Sequence, residues 1–252
     1  MRRLFFILLL TAVAGTCVYG ETRTLRMALF LLEPFMMEDP ETGKATGAVV
    51  DYWKDYIIPR MGYDLEILGV FPIKRVEKML ESGEIEIAPL FTKISSRENL
   101  FLYPETHFAE VTSCLMVLPQ SPLRDVVDSG DLSGLKIGFI EGGYIPPLLL
   151  DPSIILELVS NTDYRQINLN KLFNLRIDAA LDINYHSLMY YLADRGLADR
   201  VRIVMLPVEP VKIYSIFRNT PDGAGLRAEY DRANSEYLRE GVFSELLATY
   251  LR

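Results

Sequence analysis

The stretch YDLEILGVFPIKRVEKMLESGEIEIAPL, residues 63–90, decides the fold class. Tyr63 to Val70 is short, mostly apolar and bounded by turn-forming residues, which predicts a strand. Ile73, Val76, Met79 and Leu80 then recur at helical spacing, and Ser82-Gly83 follows as a C-cap. Ile85 to Leu90 is a further apolar run, so the segment reads β-α-β. Parallel strands joined through a helix cross over with right-handed chirality, and the loops at their carboxyl ends are the natural place for a ligand.

Upstream, Leu25 to Leu31 is a strand stopped at Glu33-Pro34-Phe35, and Met37 to Gly47 is a polar, turn-rich excursion. Val49 to Met61 carries a helical stripe in Val49, Val50, Trp53, Tyr56 and Ile57. Downstream a second run begins. Val111 to Leu118 is expected as a strand closed by Pro119, Gln120 to Gly134 as a polar connection, and Leu135 to Ile140 as a strand before the turn Gly142-Gly143. Pro146-Pro147-Leu148 is expected to open a helix. Tyr164 to Leu169, Asp178 to Ile183 and Val201 to Met205 read as strands, and Tyr185 to Arg195 as a helix. Lys212 to Phe217 is a last strand, and Leu226 to Tyr250 two helices divided at Gly241. The expectation is an α/β chain of two lobes with mainly parallel sheets and no sequence repeat.

Composition narrows the function. Of 252 residues, 50% are hydrophobic and 24% charged, a globular balance. With 34 acidic against 26 basic residues, the chain lacks the cationic footprint that nucleic acid requires. Two cysteines and two histidines are too few for a zinc cluster or a disulfide framework. His107 and His186 lie far apart, each without a partner at metal spacing, and no motif of covalent or metal catalysis occurs. No metal and no cofactor are expected.

The N-terminus reads as a secretory signal peptide over residues 1–20: Arg2 and Arg3, the apolar run Leu4 to Val13, then Val18-Tyr19-Gly20 before a mature chain from Glu21. The apolar run is shorter than the roughly 20 residues of a membrane span. Lipidation at Cys17 is disfavoured by the Thr at position 16, and loss of the leader leaves Cys114 as the one thiol. A periplasmic, monomeric, soluble unit is expected.

Several pieces in order resemble one family. Phe71-Pro-Ile-Lys-Arg75, Leu80-Glu-Ser-Gly83-Glu-Ile-Glu86, Thr92-Lys93-Ile-Ser-Ser-Arg97 and Tyr103-Pro104 resemble the signature of extracellular solute-binding protein family 3, the polar amino-acid-type receptors of ABC importers. Leu132-Ser-Gly-Leu-Lys-Ile-Gly138, Asp178-Ala-Ala-Leu-Asp182 and Tyr237-Leu-Arg-Glu-Gly241 are similar to later parts of the same pattern. The resemblance implies the type II periplasmic binding fold, with two crossover strands as a hinge and a small-molecule ligand between closing lobes. It places residues 21–112 and 210–252 in lobe 1 and residues 113–209 in lobe 2, and implies hand-over to the membrane permease of an ABC importer.

Candidate contacts follow from the same comparison. Arg97 lies in Ser95-Ser96-Arg97-Glu98, expected to open a helix capped by Ser95 or Ser96. A guanidinium there suits a carboxylate, and the resemblance makes Arg97 the ligand-carboxylate residue; the alternative is a solvated arginine paired with Glu98 or Glu105. Thr92 ends the preceding strand with a hydroxyl in reach, whereas Ile94 stands where many relatives carry Thr. Glu33, Phe35 and Phe71 end strands that face the expected cleft, with core packing the alternative for the two rings and a backbone hydrogen bond for Glu33. The aromatic that relatives place before the Pro-Phe pair is missing from Leu31-Leu32-Glu33. Gly142-Gly143 offers backbone N–H groups to an anion, weakened by Pro146 and Pro147, and Tyr144 is a candidate to cover the ligand, with surface or hinge packing the alternative. Asp182 is the candidate for a ligand ammonium, with a helix-capping acid as the alternative and Asn184 or Tyr185 as substitutes in that role.

The leading expectation is a periplasmic solute-binding protein for an amino acid or related carboxylate. Its rivals are an exported dehydratase-type enzyme on the same fold, using a buried acid or histidine, and a ligand-sensing partner of a membrane receptor.

Overall fold

The computed structural model describes residues 22–251, so the expected leader and Cys17 lie outside the described residues. The chain opens with β1 (Thr24–Leu29), a short hairpin of β2 (Met37–Glu38) and β3 (Ala45–Thr46), and a helix. The ends of that helix, α1 (Ala48–Asp51) and α2 (Ile58–Met61), flank a π-helical segment, Tyr52–Ile57. Then come β4 (Asp64–Val70), α3 (Ile73–Ser82), β5 (Ile87–Thr92), α4 (Ser95–Glu98), β6 (Phe101–Leu102) and β7 (Ala109–Val111). The second part holds β8 (Cys114–Val117), β9 (Lys136–Ile140), β10 (Ile155–Val159), α5 (Tyr164–Phe173), β11 (Ala179–Asp182), α6 (Tyr185–Asp194) and β12 (Arg202–Met205). The chain closes with β13 (Val211–Arg218), α7 (Pro221–Glu240) and α8 (Val242–Tyr250).

Two sheets result. One runs β4-β1-β5-β13-β6, with β7 also on β13; β1 is parallel to β4 and β5, and β13 is antiparallel to its neighbours. The other runs β10-β9-β11-β8-β12, with β8 antiparallel to β11 and β12. The stripe read from the sequence is the buried face of α3: Ile73, Val76, Met79 and Leu80 are all buried, each worth about 1.5–3 kcal/mol of removal from water. Gly83 ends this helix at φ +82, and the guanidinium of Arg218 fills the space a Cβ would need. Trp53 is buried and stacks on Tyr230 at 5.2 Å, tying the first helix to α7.

The chain passes between sheets twice, and the two passages are neighbours. Val111 pairs with Val211 on one side and Cys114 with Met205 on the other, and Leu206 N–H donates to Ser113 O at 3.2 Å between them. The expected single strand Val111 to Leu118 is therefore split at Thr112-Ser113, because β7 belongs to one sheet and β8 to the other.

The sheets are mixed and not mainly parallel as expected, because β8 and β13 run against their neighbours. Further expectations fail. Tyr164 to Leu169 is helical, the first part of α5, and the neighbouring strand is β10, Ile155–Val159. The inward face of α5 carries Tyr164, Arg165, Asn168, Leu169 and Leu172, so two of its five buried positions are polar and the apolar period is lost. Pro146-Pro147-Leu148 opens a single 3-10 turn, Pro147–Leu150, and no longer helix.

The polar residues on α5 are buried because they are paired. Arg165 is 4% exposed and Asp182 1%, and Arg165 Nε donates to Asp182 Oδ2 at 2.8 Å. Asp182 Oδ1 accepts from Asn184 N–H at 2.9 Å, and Arg165 Nη2 donates to Ser187 Oγ at 2.9 Å. Removing one partner of such a pair strands a buried charge, at about 3–5 kcal/mol. Arg165→Met is therefore expected to lower the unfolding free energy measured in urea by an amount of that size, and adding Asp182→Leu to restore most of it. Independent, additive losses would contradict the pairing.

Cys114 is fully buried, and burial, helped by the Asp182 carboxylate, pushes its thiol above the usual range. The chain from Glu21 onward is expected to leave Ellman's reagent untouched at pH 8 while folded, and to react with one thiol per chain in denaturant. A native rate matching a free thiol would contradict this burial.

Candidate functional site

The carboxyl ends of β1 and β5 in one lobe meet those of β9 and β11 in the other across a narrow inter-lobe cavity. Its walls are mainly apolar: Phe30 and Phe91, in edge-to-face contact at 5.5 Å, with Ile213, face Phe139, Ile140 and Ile183. Three successive residues of β5 and its bulge, Leu90, Phe91 and Thr92, line the cavity, which alternating strand faces do not permit. The register explains it. From Phe91 to Ala88, β5 takes three steps while β13 takes two from Tyr214 to Ile216, and Leu90 sits at φ +64. A β-bulge has turned the strand end into the cleft, with the left-handed backbone of Leu90 as its strained residue.

Arg97 reaches the cavity from α4. Its N-cap is Ile94 without a side-chain cap, because Ser95 and Ser96 already lie inside the single helical turn. The expected serine cap is not formed, and one turn contributes little dipole. The guanidinium is instead positioned by side chains. Arg97 is 4% exposed, lies 5.0 Å above the Phe91 ring, and donates from Nε to Glu77 Oε1 at 2.6 Å. Nη1 faces Thr92 Oγ1 and O at 3.3 and 3.4 Å, and Nη2 donates across the cleft to the backbone oxygen of Gly142. Glu77 also accepts from Lys74 at 2.9 Å, so two cations share one carboxylate. Gly142, at φ +83, lets the second lobe come this close: a Cβ there would lie 3.0 Å from Lys74 Cε.

The second lobe grips the first at Glu33. Ser187 Oγ, itself held by Arg165, donates to Glu33 O, and Arg195 at the end of α6 pairs with the Glu33 carboxylate at 3.0 Å. Arg195 also stacks 3.9 Å above Tyr191, which fixes its direction. Asn184 caps α6, its Oδ1 accepting from Ser187 N–H at 3.1 Å, and it lines the cavity with a buried Nδ2 that has no partner.

Of the residues expected from sequence, Arg97, Thr92, Tyr144, the Gly142-Gly143 turn and the substitute candidate Asn184 line the cavity together. Glu33, Phe35, Phe71, Asp182 and Tyr185 do not. Glu33 bridges the lobes outside it, Phe35 packs in the core at 6.1 Å from Phe243, and Phe71 lies at 5.9 Å from the guanidinium of Arg75. Asp182 has both oxygens engaged by Arg165 and the Asn184 N–H, so no ligand ammonium finds it free, and Tyr185 lies beside His186 at 5.4 Å. The partner of Arg97 is neither Glu98, which pairs with Lys93 at 3.2 Å, nor Glu105, but Glu77. Glu77 follows Ile73 by one helical turn, the one signal by which α3 advertised an inward-facing acid. His107 meets Glu110 at 3.4 Å, and neither histidine lines the cavity.

No family model matches the sequence, and no curated protein matches it. Solved structures do. A substrate-binding protein of an amino-acid ABC transporter from Streptococcus pneumoniae, bound to L-arginine, superposes with TM-score 0.75 at 16% identity, over 90% of this chain and 94% of its own. A periplasmic binding protein of an arginine transport system from Legionella pneumophila gives 0.74 at 17% identity, over 91% and 100%. A histidine kinase sensor domain similar to periplasmic binding proteins gives 0.77 at 18% identity, over 91% and 96%. At these identities the likeness is one of architecture: the chain has the two-lobed fold of amino-acid ABC-transporter substrate-binding proteins.

Proposed function

We propose that the chain is a periplasmic solute receptor, exported by its N-terminal leader, that captures a small carboxylate between its lobes and delivers it to an ABC importer. The observation that carries this reading is Arg97, buried at the wall of an inter-lobe cavity, with its Nη groups turned to the cleft and its companion Glu77 shared with Lys74. A carboxylate entering the cavity replaces Gly142 O as acceptor and meets the guanidinium edge with paired, charge-assisted hydrogen bonds. Lys74 keeps Glu77 neutralised meanwhile. Thr92 from the first lobe and Tyr144, Tyr164 and Asn184 from the second are the other polar side chains at the wall. Because both lobes contribute, the solute has more contacts in the closed form, and that differential affinity drives closure. The grip of Ser187 and Arg195 on Glu33 adds a solute-independent part to the closed state.

The likeness to a histidine kinase sensor domain supports a second reading, in which the closed receptor reports the solute to a membrane partner. It differs in the docking partner and not in the cavity. A dehydratase-type enzyme needs an acid or histidine at the reacting atoms, and among the described residues lining the cavity there is none.

The test uses the chain from Glu21 onward, unfolded and refolded to strip carried-over solute, in thermal melts against a panel of small carboxylates. A true ligand at a hundred times its Kd stabilises by about 2.7 kcal/mol. Arg97→Lys keeps the charge beside Glu77 but loses the planar fork, so the ligand found in the panel is expected to bind at least tenfold more weakly while the ligand-free melt stays close to wild type. Unchanged affinity in Arg97→Lys would contradict the carboxylate clamp.

A further inference from the structure

We infer, on the basis of the receptor reading above, that the solute is an apolar monocarboxylate with a hydrogen-bond acceptor and no cationic group, of the branched-chain or aromatic 2-oxo acid type, and not an α-amino acid. Charge sets the first limit. The cluster facing the cleft holds Lys74, Glu77 and Arg97, two cations against one anion, so it accommodates a single negative charge from the solute.

Among the described residues no carboxylate lines the cavity to receive an ammonium. Asp182 is neutralised by Arg165 at 2.8 Å, and Glu33, outside the cavity, pairs with Arg195 through Oε1 at 3.0 Å and keeps a buried Oε2 without a partner. Burying an ammonium against Phe30, Phe139 and Ile183 without an anion is strongly unfavourable.

Asn184 supplies the second limit. It is 1% exposed, lines the cavity, and its Nδ2 has no hydrogen-bond partner. The orientation of the amide is fixed by the cap, since Oδ1 must accept from Ser187 N–H at 3.1 Å. The wall of the second lobe therefore presents a donor that needs an acceptor, which a ketone oxygen satisfies and an ammonium cannot. The apolar rings take the rest of the molecule.

Calorimetry on the refolded chain from Glu21 onward, with matched pairs, decides between these chemistries: phenylpyruvate against L-phenylalanine, and 4-methyl-2-oxopentanoate against L-leucine, with L-arginine and L-glutamate alongside. The expected result is that a 2-oxo acid binds at least tenfold more tightly than its amino counterpart. Tighter binding of any of the amino acids overturns this inference and leaves the receptor reading intact. Binding of none of the six overturns the receptor reading with it. Asn184→Asp keeps a capping side chain and places the missing carboxylate at the wall, so it is expected to move the preference at least tenfold toward the amino acid. An unmoved preference would remove Asn184 from the ligand.

Discussion

A guanidinium and a carboxylate taken out of water together set the arrangement of the second lobe. Arg165 and Asp182 join α5 to the end of β11, and the remaining donors and acceptors of the pair organise what lies around them. Asp182 receives the Asn184 N–H and so fixes the turn into α6, while Arg165 holds the Ser187 hydroxyl that reaches Glu33 of the other lobe. A chain of polar contacts thus runs from the core of one lobe to the backbone of the other. Taking the pair out of water costs much of what its attraction returns, which is why it is better regarded as positioning than as net stabilisation.

The same pair shapes the chemistry of the cleft by what it withholds. With Asp182 neutralised, the cavity keeps donors, Arg97 and Asn184, and apolar rings, and among the described residues lining it there is no acid. Arg97 is prepared differently from a helix-capped anion site: Glu77, Lys74, Thr92 and the Phe91 ring hold it, and the bulge at Leu90 brings the strand end to it. The two lobes therefore carry two arginines with different duties. One is paired inside its own lobe, and the other meets the opposite lobe only through a backbone oxygen that a solute can displace.

Much of this was legible in the sequence where the physics is local. The stripe Ile73, Val76, Met79 and Leu80, the stop at Gly83 and the break at Gly241 are periodicity and capping, and they appear where the spacing puts them. Helix α5 was illegible because Arg165 and Asn168 occupy its inward face, and only the position of Asp182 on another element makes a buried arginine tolerable there. Arg97, Thr92 and Tyr144 line the cavity because strand ends and a glycine turn announce themselves. Phe35 and Phe71 were drawn to the cleft by adjacency to strand ends, although a strand end has two faces and the core took one of them. Glu77, Phe30 and Phe139 needed the register of β5 against β13 and the meeting of two lobes, neither of which a local pattern contains.

The central claim is that Arg97 and Asn184 receive an anionic solute lacking an ammonium between the lobes. A crystal structure of the chain from Glu21 onward grown with phenylpyruvate tests it most directly. The account predicts the carboxylate on the Arg97 guanidinium in place of Gly142 O, the ketone oxygen on Asn184 Nδ2, and Arg165 still on Asp182. Arg97 remaining on Gly142 O with the cavity empty, or Asp182 released from Arg165 toward the solute, would contradict it.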